Sequence, residues 1–162
     1  MNVCKSYKLI PYEPKYLENL SYQIMKFQQK TGTKYFKSEI KCKTLSQKLS
    51  FFKTKTQELI DSSHYNTLTI DKKSNKIFAF WSFKIENDMC YIPFIFKSEE
   101  FKMNKIMFKA SYEAFDNMKT LGFNEVHTII DRKDPERYLK FLQRYYNITV
   151  EMTNPIKVIF HI

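Results

Sequence analysis

The sequence predicts a mixed α/β fold, a mostly antiparallel central sheet of about six or seven strands with helices on both faces. Three observations predict it. Apolar residues recur every three or four positions in some segments and alternate in others. Residues 66–96 contain three successive strand-like segments rich in aromatic side chains. The chain has 162 residues, of which 43% are hydrophobic, enough for one domain over residues 1–162 with its own core.

The first elements are a short strand and a helix. Residues 6–11, "SYKLIP", read as a strand. Pro14 suits the first turn of a helix, and Gly32 suits its end. The apolar stripe of this helix is Leu17, Leu20, Ile24 and Phe27.

A second helix is predicted over residues 44–61. Thr44 is its expected N-cap, and Gln47 completes a capping box with it. Its apolar face is expected to comprise Leu45, Leu49, Phe52 and Leu59.

Three strands follow, over residues 66–71, 76–86 and 89–96, joined by the turn-like sequences "KKSN" and "ND". Their spacing predicts an antiparallel meander. Pro93 lies inside the third strand, where proline cannot donate to the ladder. It indicates either a bulge or a place where a neighbouring strand has separated.

The period then returns to that of a helix, and Gly122 ends it. Its stripe is Met103, Ile106, Met107, Ala110, Ala114, Met118 and Leu121. Residues 123–130 form the next strand, which is expected to lie parallel to residues 89–96 through a right-handed crossover.

The last helix is predicted over residues 134–146, with Asp134 as its cap and Pro135 at its first position. Two strands, 147–152 and 156–162, complete the order β-α-α-β-β-β-α-β-α-β-β.

Composition limits the function classes. The longest unbroken apolar run is Ile77 to Trp81, too short to span a membrane. The three cysteines are far apart and fit neither a disulfide framework nor a metal knuckle, which favours a reducing cytosol. No cluster of histidine, cysteine and carboxylate residues has metal-ligand spacing.

The net charge of +10 leaves nucleic-acid binding open as a salt-sensitive alternative. However, only three of the 27 basic residues are arginine, and the lysines are scattered along the chain. This bias, together with only two glycines, is typical of an AT-rich genome, so part of the charge is compositional.

The element order, with "LGFNEV" after a long helix, resembles the GCN5-related N-acetyltransferase (GNAT) superfamily over nearly the whole chain. The resemblance implies that the strand at 89–96 separates from the strand at 123–130, and that acyl-CoA, with acetyl-CoA as the expected cofactor, lies in the gap. The pantetheine arm would pair with Phe94, Ile95 and Phe96.

The superfamily's Gln/Arg-x-x-Gly-x-Gly/Ala motif holds the pyrophosphate with backbone amides. It falls here on residues 102–107, with Lys102, Asn104, Lys105, Ile106 and Met107 as candidate ligands. Lys102 keeps the basic first position, but Lys105 and Met107 replace both glycines. Glycine lets the phosphate approach the backbone, so a side chain there must turn away from it. Lys105 either pairs with a phosphate or is solvated at the first turn of the helix.

The resemblance also supplies candidate catalytic residues. The superfamily's tyrosine, which protonates the leaving thiolate, aligns with Leu142, and Tyr145 is the nearest substitute. Glu86 and His127 are candidate general bases. For each of these residues, ordinary packing or hydrogen bonding is the alternative.

Three functions therefore remain open. The first is an N-acyltransferase that acts on an amine-bearing small molecule or protein. The second is an inactive GNAT-like binding or structural protein with an assembly partner, because small phage proteins resemble eroded GNAT domains. The third is the nucleic-acid-binding module. The expected location is the cytoplasm, or the virion for a phage protein.

Overall fold

The computed structural model describes residues 6–31, 36, 42–98, 106–130 and 134–162. Its strands and helices follow the predicted order. The strands are β1 (Tyr7–Pro11), β2 (Tyr65–Asp71), β3 (Ile77–Glu86), β4 (Met89–Lys97), β5 (Glu125–Ile130), β6 (Ile148–Glu151) and β7 (Ile156–His161). The helices are α1 (Leu17–Thr31), α2 (Leu45–Asp61), α3 (Ile106–Thr120) and α4 (Pro135–Tyr145), and a 3-10 turn over Pro14–Tyr16 precedes α1.

The seven strands form one mixed sheet in the order β1-β2-β3-β4-β5-β7-β6. The pair β4 and β5 is parallel, and the other neighbours are antiparallel. The predicted meander over β2, β3 and β4 and the predicted parallel crossover through α3 are both confirmed.

Local sequence signals explain the helix boundaries. The Thr44 hydroxyl accepts a hydrogen bond from the Gln47 amide at 3.2 Å, and the Gln47 side chain accepts one from the Thr44 amide at 3.1 Å. This is the predicted capping box. Asp134 caps α4 by accepting from the Arg137 amide. Gly122 ends α3 with φ +96°, a conformation that glycine adopts readily.

Two hydrophobic cores lie on opposite faces of the sheet. The first packs α1 and α2 against β2, β3 and β4; its members include Leu20, Ile24, Phe52, Phe80 and Phe94. The second packs α3 and α4 against β3, β4, β5 and β7; its members include Trp81, Ile92, Met107, Met118, Val126 and Leu142. Helices therefore cover both faces, as predicted.

Two apolar stripes are shorter than the sequence indicates. Leu45 is 60% exposed, because it is the first residue of α2 and lies beyond the sheet that covers Phe52 and Ile60. Leu121 is 47% exposed, because α3 has already ended at Thr120 and the chain turns at Gly122. The expectation that both leucines belong to the packed faces was wrong.

Candidate active site

The strands β4 and β5 pair over a short distance and then diverge. Their ladder comprises two pairs, Cys90 with Val126 and Tyr91 with His127. Beyond His127, β5 continues to Ile130 paired with β7 on its other side. The Thr128 hydroxyl donates to the Ile92 carbonyl at 3.1 Å, just past the last pair. The predicted gap between these two strands is therefore present.

A bulge in β4 stands at the same point. Lys84 pairs with Tyr91 and Ser82 pairs with Phe94, so the single residue Phe83 lies opposite Ile92 and Pro93. A one-residue offset moves the following side chains to the other face of the sheet. Before the bulge, Ile92 faces the α3 and α4 core; after it, Phe94 faces the α1 and α2 core. Pro93 thus marks both the bulge and the separation from β5.

The last pair of β4 and β5, Tyr91 with His127, belongs to a row of residues that runs across the sheet. The row consists of Lys84, Tyr91, His127, Ile159 and Thr149, which are aligned by register on β3, β4, β5, β7 and β6. Alternation directs His127 away from Val126, which belongs to the core under α3 and α4. The buried cluster on the His127 side draws only on β2, β3 and β4 among the strands, within the residues that the structure describes. The part of the row that lies on β5, β7 and β6 is consequently outside the buried cluster that α1 and α2 form with the sheet.

His127 lies beside a carboxylate that it shares with a second histidine. Its Nε2 is 3.4 Å from Glu125 Oε2, and its ring centroid is 5.6 Å from that of Tyr91. The other oxygen of the carboxylate, Glu125 Oε1, is 3.3 Å from His161 Nδ1. His161 Nε2 lies 2.8 Å from the Thr149 hydroxyl oxygen. Sequence reasoning missed Glu125, although a residue two positions before His127 in a strand lies on the same face. The pairing of β5 with β7, which brings His161 there, has no local sequence signal.

The other candidate base lies at the end of a hairpin. Glu86 is the last residue of β3 and pairs with Met89, two residues along β4 from Tyr91. That offset is about 7 Å of strand. The Glu86 carboxylate is 2.5 Å from Lys84 Nζ and is half exposed.

The candidate proton donor Tyr145 lies in an aromatic cluster on α3 and α4. Its ring stacks on Phe108 with 4.2 Å between centroids, and its backbone carbonyl accepts a hydrogen bond from the Tyr112 hydroxyl. Leu142, which the family resemblance aligns with the superfamily's tyrosine, is buried. Tyr146 is also buried, and desolvation raises its pKa to about 12, which keeps its proton bound.

The candidate cofactor residues divide into three groups. Phe94, Ile95 and Phe96 lie on β4 beyond the bulge, beside the gap. Met107 is 4% exposed and packs into the core, so its side chain points into the protein. Lys102, Asn104 and Lys105 lie outside the described residues, as does the side chain of Ile106.

Within the described ranges, no group of three or more histidine, cysteine and acidic side chains could hold a metal ion. No described helix is long and apolar enough to cross a membrane.

Comparison with known proteins identifies the architecture. No family profile matches the sequence, and no curated protein matches it either. Among solved structures, the chain is similar to the PaiA N-acetyltransferase of Thermoplasma acidophilum in complex with coenzyme A, with a TM-score of 0.69 and 14% identity over 96% of this chain and 98% of that one. A chimera of Vibrio cholerae spermidine N-acetyltransferase SpeG and hSSAT is similar with a TM-score of 0.67 and 10% identity over 96% of this chain and 95% of that one. A GNAT-family acetyltransferase of Staphylococcus aureus is similar with a TM-score of 0.65 and 13% identity over 96% of this chain and 99% of that one. The chain therefore has the fold of the GCN5-related N-acetyltransferases.

Proposed function

We propose that this protein is an acyl-CoA-dependent N-acyltransferase. The observation that carries the proposal is the divergence of β4 and β5 directly after the pair Tyr91 and His127. It creates a gap in the sheet with an imidazole at its closed end. The similarity to a structure that contains coenzyme A supports the same reading.

The described residues fit the pantetheine arm of the cofactor. An extended chain of amides can add to a strand edge through backbone hydrogen bonds, and β4 borders the gap from Ile92 to Lys97. Met107 stands where the superfamily has its second glycine, and its burial removes the side chain from the path of a phosphate. We assign the pyrophosphate to the segment that contains Lys102, Asn104 and Lys105, where the lysines supply charge in place of close backbone approach.

The bound thioester would supply an activated acyl carbon, and the chain's own residues would manage the protons. His127 is the proposed general base and takes one proton from the attacking amine. The new C–N bond forms as the C–S bond breaks, and the thiolate that leaves accepts a proton. Tyr145 is the proposed source of that proton, and backbone amides of β4 are the proposed donors to the acyl oxygen. Glu86 is the alternative base.

The acceptor is proposed to be an amine-bearing small molecule or protein that approaches the His127 side of the sheet. That side carries polar groups at the end of the gap, whereas α3 and α4 cover the other side. The spermidine N-acetyltransferase chimera among the similar structures supports an amine as the acceptor class.

The first test is thermal stabilisation by acetyl-CoA. A ligand at 100 times its Kd stabilises a protein by about 2.7 kcal/mol. In a chain of this size, that is a rise in Tm of roughly 5–10 °C. Adenosine 3′,5′-bisphosphate is the matched control, since it has phosphates but no pantetheine arm, and it should stabilise less. Lys105→Glu should reduce the acetyl-CoA effect, whereas Lys53→Glu, on the exposed side of α2, should not.

The second test is transfer itself, measured as coenzyme A release with a panel of amines. His127→Gln should lower kcat by roughly 10²–10⁴-fold, the usual contribution of a general base, while its Tm stays within a few degrees. No stabilisation by millimolar acetyl-CoA would reject the proposal. It would favour a GNAT-fold binding or structural protein, tested by copurification with a large assembly or virion. Steeply salt-dependent DNA binding would instead favour the nucleic-acid module.

A further inference from the structure

The groups around His127 form a chain across three strands. Glu125 and His127 lie on β5, His161 lies on β7 and Thr149 lies on β6. Glu125 pairs directly with His161 in the β5 and β7 ladder, and Thr149 pairs with Ile159, two residues before His161. Each contact in the chain therefore joins side chains that the sheet already places on one face. A rigid strand scaffold of this kind holds side chains more precisely than a loop does.

We propose that Glu125, buttressed by His161 and Thr149, is a positioning residue that fixes the tautomer of His127 with its proton on Nε2 and its lone pair on Nδ1. The inference rests on the proposed function for its consequence, because only a base needs a defined lone pair. Its structural part, the tautomer, stands on the contacts alone.

The chemistry of the carboxylate carries the argument. An ionised carboxylate is an acceptor only, so a nitrogen beside it is stabilised when it bears hydrogen. His127 Nε2 is 3.4 Å from Glu125 Oε2, long for a hydrogen bond but close enough for the negative charge to favour N–H at that nitrogen. A neutral imidazole carries one N–H, so its lone pair is then on Nδ1. That nitrogen is the one left to accept a proton.

The second histidine limits the movement of the carboxylate. Glu125 is partly exposed, with 46% of its side chain accessible, so one contact would not fix its rotamer. His161 Nδ1 contacts Oε1 while His127 contacts Oε2, so both oxygens are engaged. Thr149 holds the far nitrogen of His161 at 2.8 Å. A hydroxyl both donates and accepts, and it can therefore satisfy that nitrogen in either protonation state.

A carboxylate between two imidazoles also stabilises positive charge on either ring. When His127 accepts a proton, the positive charge forms with its Nε2 3.4 Å from Glu125 Oε2, so a counter-charge is already in place. Glu125 thus orients the base before proton transfer and stabilises its charged form afterwards.

The test measures the tautomer directly by ¹⁵N NMR of the histidine side chains at pH 8, with resonances assigned by His127→Gln and His161→Gln. The expected result is an Nε2–H tautomer for His127 in the unmodified protein. Glu125→Gln, which keeps the shape but removes the charge, should produce a mixture of tautomers. Glu151→Gln is the matched control, because Glu151 lies on the same side of β6 and pairs with Lys157 at 3.8 Å. It should leave His127 unchanged.

A second pair of variants tests the contact between Thr149 and His161. This pair remains informative if the Glu125→Gln variant does not fold. Thr149→Val should loosen His161 and broaden the His127 tautomer signal, and Thr149→Ser should restore it. In transfer assays Glu125→Gln should lower kcat on the order of tenfold with little change in KM for acetyl-CoA, as expected for a residue that acts through another.

An Nδ1–H tautomer in the unmodified protein, or a tautomer unaffected by Glu125→Gln and Thr149→Val, would overturn the inference. Because NMR needs neither cofactor nor turnover, this failure is distinct from failure of the acyltransferase proposal. If the predicted tautomer is present but no acyl transfer is detected, the proposed function is rejected, whereas the assignment of the proton to Nε2 of His127 is retained.

Discussion

At the scale of single residues, the described side-chain contacts are of two kinds, those between near neighbours along the chain and those between paired strands. Thr44 and Gln47 are three positions apart, and their reciprocal hydrogen bonds follow from that spacing. His127 was a candidate because the family resemblance implies a general base near the fourth and fifth strands, and His127 lies on the fifth. Its partner His161 is 34 positions away and meets Glu125 only because β5 and β7 pair in one particular register. The residue pattern of either strand, taken by itself, does not specify that register.

Cys90 gives a prediction at this scale. Burial raises the pKa of its thiol from 9.0 to about 11, which lowers the thiolate fraction at pH 8 by about 100-fold. Iodoacetamide should therefore modify Cys90 at least that much more slowly in the folded protein than in urea, measured by peptide mass spectrometry. Cys42, which is half exposed, is the internal comparison. Equal rates at Cys90 in both states would contradict its placement in the core.

At the scale of elements, caps and periodicity set most boundaries, and packing decides the remainder. The stripe on α1 predicts its buried face because α1 lies across the sheet along that length. The stripes on α2 and α3 each include one leucine too many, since periodicity does not show where the covering sheet stops. In β4, Pro93 signalled an irregularity, and the partner strands determined its form.

The capping box of α2 yields a stability prediction. Thr44→Ala removes the acceptor of the Gln47 amide and should lower the free energy of unfolding by about 1 kcal/mol. Thr54→Ala is the matched control, because Thr54 is exposed inside the same helix, where alanine is the better helix former. Urea denaturation of both variants measures the difference. A loss at Thr54 as large as that at Thr44 would show that the cap has no special role.

The end of α3 yields a second stability prediction. Gly122 has φ +96°, and a Cβ at this position would meet no atom within 4 Å. Gly122→Ala should therefore destabilise through backbone strain alone, by about 1–2 kcal/mol. Gly122→Asn should cost less, since asparagine tolerates positive φ better than alanine. Should both variants match the unmodified protein in thermal denaturation, α3 would have to end differently.

At the scale of the whole molecule, the alternation of helical and strand periods was sufficient to predict the element order and the parallel crossover. The gap between β4 and β5 was expected from the family resemblance together with Pro93. The arrangement around it was not predictable, because the row from Lys84 to Thr149 draws on five strands from distant parts of the chain. The fold brings polar groups to a sheet face that local patterns describe only as alternating.

Alkaline pH should destabilise the whole molecule through Tyr146, which is buried, and Tyr7, which is half-buried. Desolvation raises the pKa of Tyr146 from 10.0 to about 12, and Tyr7, desolvated and hydrogen-bonded to Glu113, is raised to the same value. A phenol whose folded pKa is raised contributes stability that is complete below pH 10. That stability is lost as pH rises towards 12, because the unfolded chain ionises first.

Urea midpoints at pH 8, 10 and 11 test this behaviour in matched variants. Tyr146→Phe cannot ionise, so it should lose less stability between pH 8 and pH 11 than the unmodified protein, with a limiting difference of about 2 kcal/mol by pH 12. Tyr65→Phe, at an exposed position on β2, should follow the unmodified protein. Because every variant carries the same lysines, discharge of the +10 net charge affects them equally and cancels in the comparison. Parallel pH profiles for Tyr146→Phe and Tyr65→Phe would mean that Tyr146 is solvated, and its packing against Phe115 and Phe160 would then be incorrect.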